Sequence, residues 1–374
     1  MDKKIDAQSD KYYSEMKSLP KITFGMIVLN GEPFTRYNLR ALYPYAHQII
    51  VIEGACLAAR QNATTEGHSL DGTLEILRAF KLTEDPDDKL VIVTAEDEGY
   101  GNGFWPGEKD EQSRAYAKRA TGEWLWQVDS DEFYMPHDIE VVCRDYLSRP
   151  DVSGVSFKQI QFWGGLDYFV DGWYLRHRGA EEVPRLFRWG PGFSYVTHRP
   201  ATVTNANGQD LRLLGWVNSK ESAKKSIYMY HYSLVFPMQV RSKSKYYSNV
   251  DWGSLEKMVS WYEENYNTLK NPYRVHNVYQ YVSWLERFKG MHPPQVMSLW
   301  EDAKVDKFDH PIEIRSITDI EKLLASRKYF FGRSLLRILG PIAYKSRSIA
   351  NNILRFLPMK MQKTILNIWY SIRE

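Results

Sequence analysis

The segment Trp124–Glu132 has the sequence W-L-W-Q-V-D-S-D-E. Its mostly apolar first half is typical of a buried strand, and the acids that follow would lie at the carboxyl end of that strand. Asp129 and Asp131 are two residues apart, so their side chains point the same way on an extended backbone. Such a pair is suited to hold a hard divalent cation against a phosphate group. The alternative is a surface turn, because Asp and Ser are also common in turns.

Strand and helix patterns alternate on the N-terminal side of this segment. Apolar runs predict strands at Ile22–Leu29, Gln48–Ile52, Leu90–Thr94 and 123–128. Between them, helical patterns are found at Glu32–Leu42, Leu74–Phe80 and Lys109–Thr121. This alternation predicts an α/β fold with a mostly parallel sheet and flanking helices. Ligands of such sheets bind at the carboxyl ends of the strands, where the D-S-D-E cluster is expected.

The pattern changes after about residue 150. Further strands are predicted at Val152–Phe162, Arg185–Arg188, Ser194–Val196 and Ile227–Tyr232. From about Lys243 to Trp300 we expect a mainly helical stretch rich in aromatic residues. The chain therefore divides into a lead-in (1–20), an α/β domain with halves 21–135 and 136–240, a helical region (241–327) and a tail (328–374).

Composition indicates a globular protein. The 374 residues are 43% hydrophobic and 25% charged, enough for one large or two ordinary domains. The 12 Trp and 25 Tyr suit either a carbohydrate-binding surface or core packing. The two cysteines, Cys56 and Cys143, are far apart, which argues against a disulfide framework and favours a reducing compartment. Neither a signal-peptide pattern nor a membrane-spanning apolar stretch is visible, so we expect a cytoplasmic protein.

The tail differs from the rest of the chain in charge. Residues 328–374 contain nine Lys or Arg and one acid, a formal charge of +8, which leaves −5 for the remainder of a chain whose total is +3. Apolar residues recur at helical spacing, and Pro341 and Pro358 would divide the tail into short helices. Basic amphipathic helices favour an anionic membrane surface, here the inner face of a membrane. The alternative is a helical pair that packs on the acidic body, and no motif indicates nucleic-acid binding.

Four ordered pieces of residues 21–235 resemble the nucleotide-sugar glycosyltransferases of family 2, which have a GT-A fold. They are M-I-V-L-N-G-E at 26–32, I-I-V-I-E at 49–53 with D-G-T at 71–73, Arg114 before A-T-G-E-W, and D-S-D-E itself. The chain departs from the family at Glu53, where an Asp is usual. Residues 55–70 look like an extra loop in the path to D-G-T.

The resemblance implies a metal-dependent, inverting transfer of a hexosyl or N-acetylhexosaminyl group. The donor would be a UDP- or GDP-sugar, the cofactor Mn²⁺ or Mg²⁺, and the acceptor a glycan or lipid-linked glycan in surface polysaccharide or lipopolysaccharide synthesis. The halves 21–135 and 136–240 would serve the nucleotide sugar and the acceptor. The alternatives are a sugar nucleotidyltransferase, which would need a Gly-rich basic loop after the first strand, and a non-catalytic glycan-binding protein with a transferase-like core.

The same resemblance implies roles for particular residues. Asp131 would hold the metal, with Asp129 on the metal or the ribose, and Glu132 is interpreted as structural. His231 lies at the end of the predicted strand Ile227–Tyr232 and would complete the metal site, or else bond to the backbone as a strand-end histidine. The remaining nucleotide-binding candidates are Asn30, Glu32, Glu53, Lys109 and Arg114; for Lys109 and Arg114 the alternative is a solvated helix face.

An inverting transferase needs one base to accept the proton of the attacking hydroxyl. The segment 184–200 resembles a subgroup with R-L-F-R followed by a His-Glu pair, but Arg199 stands where the Glu would be. Either His198 itself or a nearby acid, Glu182 first, would then be the base. The candidates are Asp171, Glu181, Glu182 and His198, and a solvated loop is the alternative for the two glutamates.

Overall fold

The first half of the chain folds as alternating strands and helices. A computed structural model describes residues 20–107, 109–173, 175, 182–247, 261–276, 282–308 and 310–340. Its first elements are β1 (Ile22–Val28), α1 (Thr35–Leu42), β2 (Gln48–Glu53), α2 (Thr73–Thr83), β3 (Leu90–Val93), α3 (Lys109–Ala117) and β4 (Trp124–Gln127). Glu181, the lead-in up to residue 19 and the tail beyond residue 340 lie outside the described residues.

Strands dominate the middle of the chain and helices its end. The elements that follow are β5 (Glu132–Phe133), α4 (Pro136–Val142), β6 (Gly154–Trp163), β7 (Tyr168–Gly172), β8 (Val183–Arg188), β9 (Ser194–His198), β10 (Ala201–Thr204), β11 (Trp216–Val217), α5 (Ser219–Lys224), β12 (Tyr228–Leu234), α6 (Pro237–Tyr247), β13 (Ser283–Arg287), α7 (Pro294–Lys304), α8 (Thr318–Ala325) and α9 (residues 327–340). Short helical turns cover Tyr43–Tyr45, Leu57–Asn62, Cys143–Leu147, Leu211–Leu213 and Tyr262–Asn267.

One large sheet runs through the described part of the chain, in the order β13-β7-β6-β8-β4-β1-β2-β3. The strands β3, β2, β1 and β4 are parallel to one another. Strand β8 is antiparallel to both β4 and β6, between which it lies. Strand β12 pairs in parallel with β6 and antiparallel with β5, which brings it next to the end of β4.

Both faces of the parallel strands are buried. In β2, Ile49 and Val51 pack into one apolar cluster, whereas Ile50 and Ile52 pack into a second cluster across the sheet. In β4, Trp126 packs into the first cluster and Leu125 packs into the second. Side chains of a strand alternate between faces, so continuous apolar runs are what a sheet covered on both sides requires.

The predicted α/β class, with a mostly parallel sheet and flanking helices, is confirmed, and helices α6 to α9 lie in the described C-terminal region. Two details differ. Helix α1 begins at Thr35 rather than Glu32, since the residue before Pro33 is disfavoured in a helical conformation. Strand β13 lies in the stretch expected to be helical. Its extended conformation depends on pairing with β7, a tertiary contact that local sequence patterns do not indicate. The domain boundaries stay a prediction.

Candidate functional site

Three strand ends meet at one edge of the sheet. Strand β1 lies between β2 and β4, and Val28 at its end is paired with Glu53 at the end of β2. Asp129 lies two residues after the end of β4. The parallel direction of these strands therefore places Asn30, Glu53 and the D-S-D-E turn at the same carboxyl edge.

The D-S-D-E turn is held by several hydrogen bonds. The Glu132 backbone N–H donates to the Asp129 carbonyl oxygen (3.0 Å), and the Asp129 N–H donates to Glu132 Oε2 (3.1 Å). Asn38 Nδ2, from α1, donates to the Glu132 carbonyl oxygen (2.6 Å), and the Tyr232 N–H donates to the Asp131 carbonyl oxygen (2.9 Å). The backbone between the two aspartates is thus fixed from helix α1 on one side and strand β12 on the other.

A buried arginine binds the acids of the turn. Arg185 Nε donates to Glu132 Oε2 (2.9 Å), and its terminal nitrogen donates to Oε1 of the same carboxylate. That nitrogen also lies 3.5 Å from Asp129 Oδ2. Burial acts to raise the pKa of Asp129, but the charges of Arg185 and Lys109 outweigh it and hold that pKa below its usual range. Burial raises the pKa of Glu132, whose side chain has no exposed surface.

Asp131 has different partners on its two oxygens. His231 Nε2 lies 3.6 Å from Oδ1, whereas Gln239 Nε2 donates to Oδ2 (3.0 Å) and Lys243 Nζ forms an ion pair with the same oxygen. Burial of Asp131 is again outweighed, mainly by Lys243 and then by His231, and its pKa is lowered. Asp131 is therefore a carboxylate anion at any physiological pH.

The donor atoms at Asp131 are compatible with a divalent cation. One carboxylate oxygen and one imidazole nitrogen lie side by side, and Mg²⁺ and Mn²⁺ accept such ligands. Within the described residues no three His, Cys, Asp or Glu side chains converge as a ligand set, so Asp129 does not join Asp131 and His231. A cation bound here would take its remaining ligands from water and from substrate phosphate, as Mg²⁺ sites often do.

Asn30 and Glu53 hold the loop at residues 55–70. Asn30 Nδ2 donates to the Asn62 carbonyl oxygen (2.8 Å), and Asn30 Oδ1 accepts from the Leu70 N–H (2.6 Å). Glu53 is fully buried; its Oε1 accepts from both the N–H and the hydroxyl of Ser69 (2.8 Å each). The side chains predicted to bind the nucleotide thus anchor the extra loop, and any contact they make with a nucleotide stays a prediction.

Glu32 is a half-buried acid four residues after the end of β1. Burial first, and then the charge of Asp71, raise its pKa to about 7. Its Oε1 atom is buried without a hydrogen-bond partner. Strongly perturbed acids of this kind are common at functional sites, which is consistent with its predicted contact with the nucleotide.

Glu32→Gln is expected to stabilise the protein at alkaline pH but not at acid pH. The folded pKa of about 7 exceeds the ordinary value of 4.5, so the stability associated with protonated Glu32 is complete below pH 4.5 and is lost as the pH rises through 7. Urea unfolding should show the variant more stable than wild type at pH 8 by on the order of 2 kcal/mol, and equal to it near pH 4.5. Glu301→Gln, at an exposed acid, is the control; a difference that does not change with pH would contradict the assignment.

Of the two predicted phosphate-binding cations, Lys109 lies close enough to Asp129 and His198 to influence the pKa of each. Arg114 is half-exposed and donates to Glu111 and to the Val196 carbonyl oxygen (3.1 Å). The charge of Lys109 therefore acts on the D-S-D-E turn, whereas the contacts of Arg114 are those of a helix surface.

The base candidates lie in different surroundings. Glu182 accepts three hydrogen bonds from the N–H and hydroxyl of Ser219, at the start of α5. Asp171, in β7, accepts from the Gly172 N–H (2.8 Å) and lies 4.0 Å from Arg337.

His198 is buried, and Ser113 Oγ lies 2.9 Å from its Nδ1. Burial and then the charge of Lys109 lower the pKa of His198, despite the opposing effect of Asp129. It is therefore neutral at physiological pH.

No protein-family model and no curated protein sequence matches the chain. Solved structures with partial similarity include the Mycobacterium tuberculosis glucosyl-3-phosphoglycerate synthase in complex with Mn²⁺, UDP and glucosyl-3-phosphoglycerate (17% identity, 40% of this chain, 47% of that chain, TM-score 0.28). The same enzyme with Mg²⁺ and UDP (16%, 38%, 45%, 0.28) and a mycobacterial protein (18%, 41%, 44%, 0.28) are similar to the same extent. The chain spans less than half the length of each. At such TM-scores the similarity carries no argument, and the functional inference rests on the site.

Three residues of the site were not singled out as site residues from the sequence. Arg185 belongs to the R-L-F-R segment, and its position in a predicted strand beside the base candidates was the available signal. Lys243 lies in a basic stretch after His231, and such a stretch is typical of phosphate binding but does not indicate one particular lysine. Gln239 carries no charge and belongs to no recognisable motif, so no sequence signal identifies it.

Proposed function

We propose that the protein is a metal-dependent, inverting glycosyltransferase that moves a sugar from a nucleotide-sugar donor to an acceptor hydroxyl. One observation supports it most: Asp131 is a buried anion at the carboxyl edge of a parallel sheet, with an imidazole on one oxygen and an ammonium on the other. A buried carboxylate that is paired with an imidazole and an ammonium group can bind a metal ion in place of the ammonium group. The donor would be a UDP- or GDP-sugar, and the transferred group hexosyl or N-acetylhexosaminyl.

In this proposal Asp131 and His231 hold Mn²⁺ or Mg²⁺. The bound cation would neutralise the diphosphate that leaves the sugar. Asp129, kept ionised by Arg185 and Lys109, would accept a hydrogen bond from the ribose or approach the cation. Lys109 and Lys243 add positive charge where the diphosphate would lie, and charge placed before the reaction lowers the barrier to leaving-group departure.

The proton of the acceptor hydroxyl needs a base on the opposite face of the sugar. His198 is the candidate we favour, since it lies within electrostatic range of Asp129, whereas the carboxylate of Glu182 is occupied at α5. Its lowered pKa makes the imidazole a weak base, so proton removal would accompany rather than precede bond formation. Asp171 and Glu181 remain candidates.

Incubation with a panel of UDP- and GDP-sugars tests the proposal. With Mn²⁺ present, release of nucleoside diphosphate should be detectable for at least one donor, and EDTA should abolish it. Absence of both turnover and nucleotide binding across the panel would refute a transferase. Formation of a nucleotide sugar from sugar phosphate and nucleoside triphosphate would instead identify a nucleotidyltransferase.

We also propose that the basic tail places the enzyme on an anionic membrane surface, where a lipid-linked glycan for surface polysaccharide would be the acceptor. Within the part of the chain that the structure describes, every helix is too short or too polar to cross a membrane. Helix α9 is docked by one face, through Tyr329 and through Arg333 paired with Glu286. Its other face exposes apolar side chains at helical spacing: Phe331 (68%), Leu335 (56%) and Ile338 (66%).

Replacing Phe331, Leu335 and Ile338 together by serine should weaken binding to phosphatidylglycerol vesicles by about 10-fold or more, because each apolar side chain buried in lipid contributes on the order of 1 kcal/mol. Vesicle co-sedimentation measures the effect. Leu213→Ser, at an exposed leucine (82%) on another surface, is the control. Equal sedimentation of the triple variant and wild type would contradict membrane docking by α9.

A further inference from the structure

Helix α6 lies across the carboxyl edge of the sheet. It packs against β12 at one side and against the turn Leu57–Asn62, in the loop after β2, at the other. Gln239 and Lys243 are one helical turn apart and both reach Asp131 Oδ2. His231, on the adjacent strand, lies on the Oδ1 side. Side chains of both helix α6 and strand β12 therefore contact the Asp131 carboxylate.

The charges of the site balance without any ligand. Asp129, Asp131 and Glu132 are the acids of the turn. Arg185 pairs with Glu132 and lies 3.5 Å from Asp129, Lys243 pairs with Asp131, and the charge of Lys109 acts on Asp129. A divalent cation that binds at Asp131 alone adds uncompensated positive charge beside Lys243. A cation that binds together with a diphosphate adds little net charge, and the diphosphate offers Lys243 a second anionic partner.

On the basis of the proposed function, we propose that Lys243 is a positioning residue that couples the binding of the metal to the binding of the nucleotide. Its ammonium pairs with Asp131 when the donor is absent and transfers to the diphosphate when metal and nucleotide bind. Bare metal must displace or tolerate the ammonium and binds weakly, whereas the metal–nucleotide pair binds tightly. Gln239 keeps its hydrogen bond to Asp131 and so holds the helix over the site.

A purely structural Lys243 makes a different prediction. An ion pair that only anchors α6 would, when removed, alter the unfolding midpoint and leave the ratio of metal affinities with and without nucleotide unchanged. The coupling ratio is therefore the readout that separates the two roles, and it is independent of catalysis.

The inference is tested by titrating the full chain with Mn²⁺, both alone and in the presence of saturating UDP. The EPR signal of the free ion measures how much Mn²⁺ is bound. Lys243→Met and Lys243→Gln should each bind Mn²⁺ alone about 10-fold more tightly than wild type. The enhancement of Mn²⁺ affinity by UDP should shrink by a similar factor, about 10-fold. Lys304→Met, at a lysine paired with Glu301 rather than with the site, is the matched control and should behave as wild type.

The same series separates failure of the inference from failure of the proposed function. Wild-type coupling in both Lys243 variants, with Mn²⁺ binding still lost in Asp131→Asn, would overturn the inference and leave the metal site standing. Absence of Mn²⁺ binding in wild type at saturating UDP would overturn both. Thermal unfolding without metal verifies that each variant is folded.

Discussion

Asp131→Asn should, under the proposed function, lower nucleotide-sugar turnover by about 10³-fold or more at saturating Mn²⁺, because the neutral amide would no longer attract the cation proposed to stabilise the leaving diphosphate. The amide has nearly the same shape and can still accept hydrogen bonds from Gln239 and Lys243, so the contacts of α6 should persist. Release of nucleoside diphosphate measures the turnover, and EPR measures the accompanying loss of Mn²⁺ affinity.

Asp145→Asn is the matched control for this variant. Asp145 is also an aspartate paired with a lysine, Lys225, but it lies on the surface away from the D-S-D-E turn. It should retain wild-type turnover. Activity of Asp131→Asn within about 5-fold of wild type would contradict the assignment of Asp131 to the metal, since such a loss is no larger than that of an outer hydrogen bond.

Arg185→Met should destabilise the folded protein by about 3–5 kcal/mol. The substitution leaves Glu132, which has no exposed surface, as an uncompensated buried charge, and it removes the largest favourable charge acting on Asp129. Urea unfolding measures the loss. The double variant Arg185→Met/Glu132→Gln should recover much of it, because no unpaired glutamate charge then remains in the interior.

A surface ion pair gives the comparison for this experiment. Arg149 and Asp151 form an ion pair with side chains 48% and 64% exposed, so Arg149→Met should change stability by less than about 1 kcal/mol. Equal effects of Arg185→Met and Arg149→Met, or a double variant no more stable than Arg185→Met, would show that the Arg185–Glu132 pair is not a buried unit.

Local sequence patterns predict most of the sheet. Each apolar run ahead of the D-S-D-E turn forms a strand, since a sheet covered on both faces imposes a continuous apolar pattern that is visible without the fold. The parallel direction of β1, β2 and β4 places Asn30, Glu53 and the D-S-D-E turn at one edge, the carboxyl edge at which ligands of such sheets bind. Strand β13 could not be predicted, because Ser283–Arg287 is extended only through its pairing with β7.

The partners of the acids were less accessible to prediction. Arg185 lies 53 residues from Glu132 in sequence, and Gln239 and Lys243 lie 108 and 112 residues from Asp131. Nothing in a local pattern reports contacts over such separations. The sequence indicates that residues 55–70 form an extra loop, but the hydrogen bonds of this loop to Asn30 and Glu53 depend on the folded path of the chain.

The antiparallel direction of β8 relative to β4 determines which arginine of the R-L-F-R segment contacts the acids of the D-S-D-E turn. Strand β8 is antiparallel to β4, with Leu186 beside Trp126 and Arg188 beside Trp124, so the start of β8 lies where β4 ends. Arg185 therefore meets the acids, while Arg188 stacks over Trp124 at the opposite edge (4.4 Å to the ring centroid). Had β8 been parallel to β4, its final arginine would have faced the acids. The R-L-F-R motif therefore indicates which arginine contacts the acids only when the direction of its strand is known. A search by composition alone would assign the same role to both arginines.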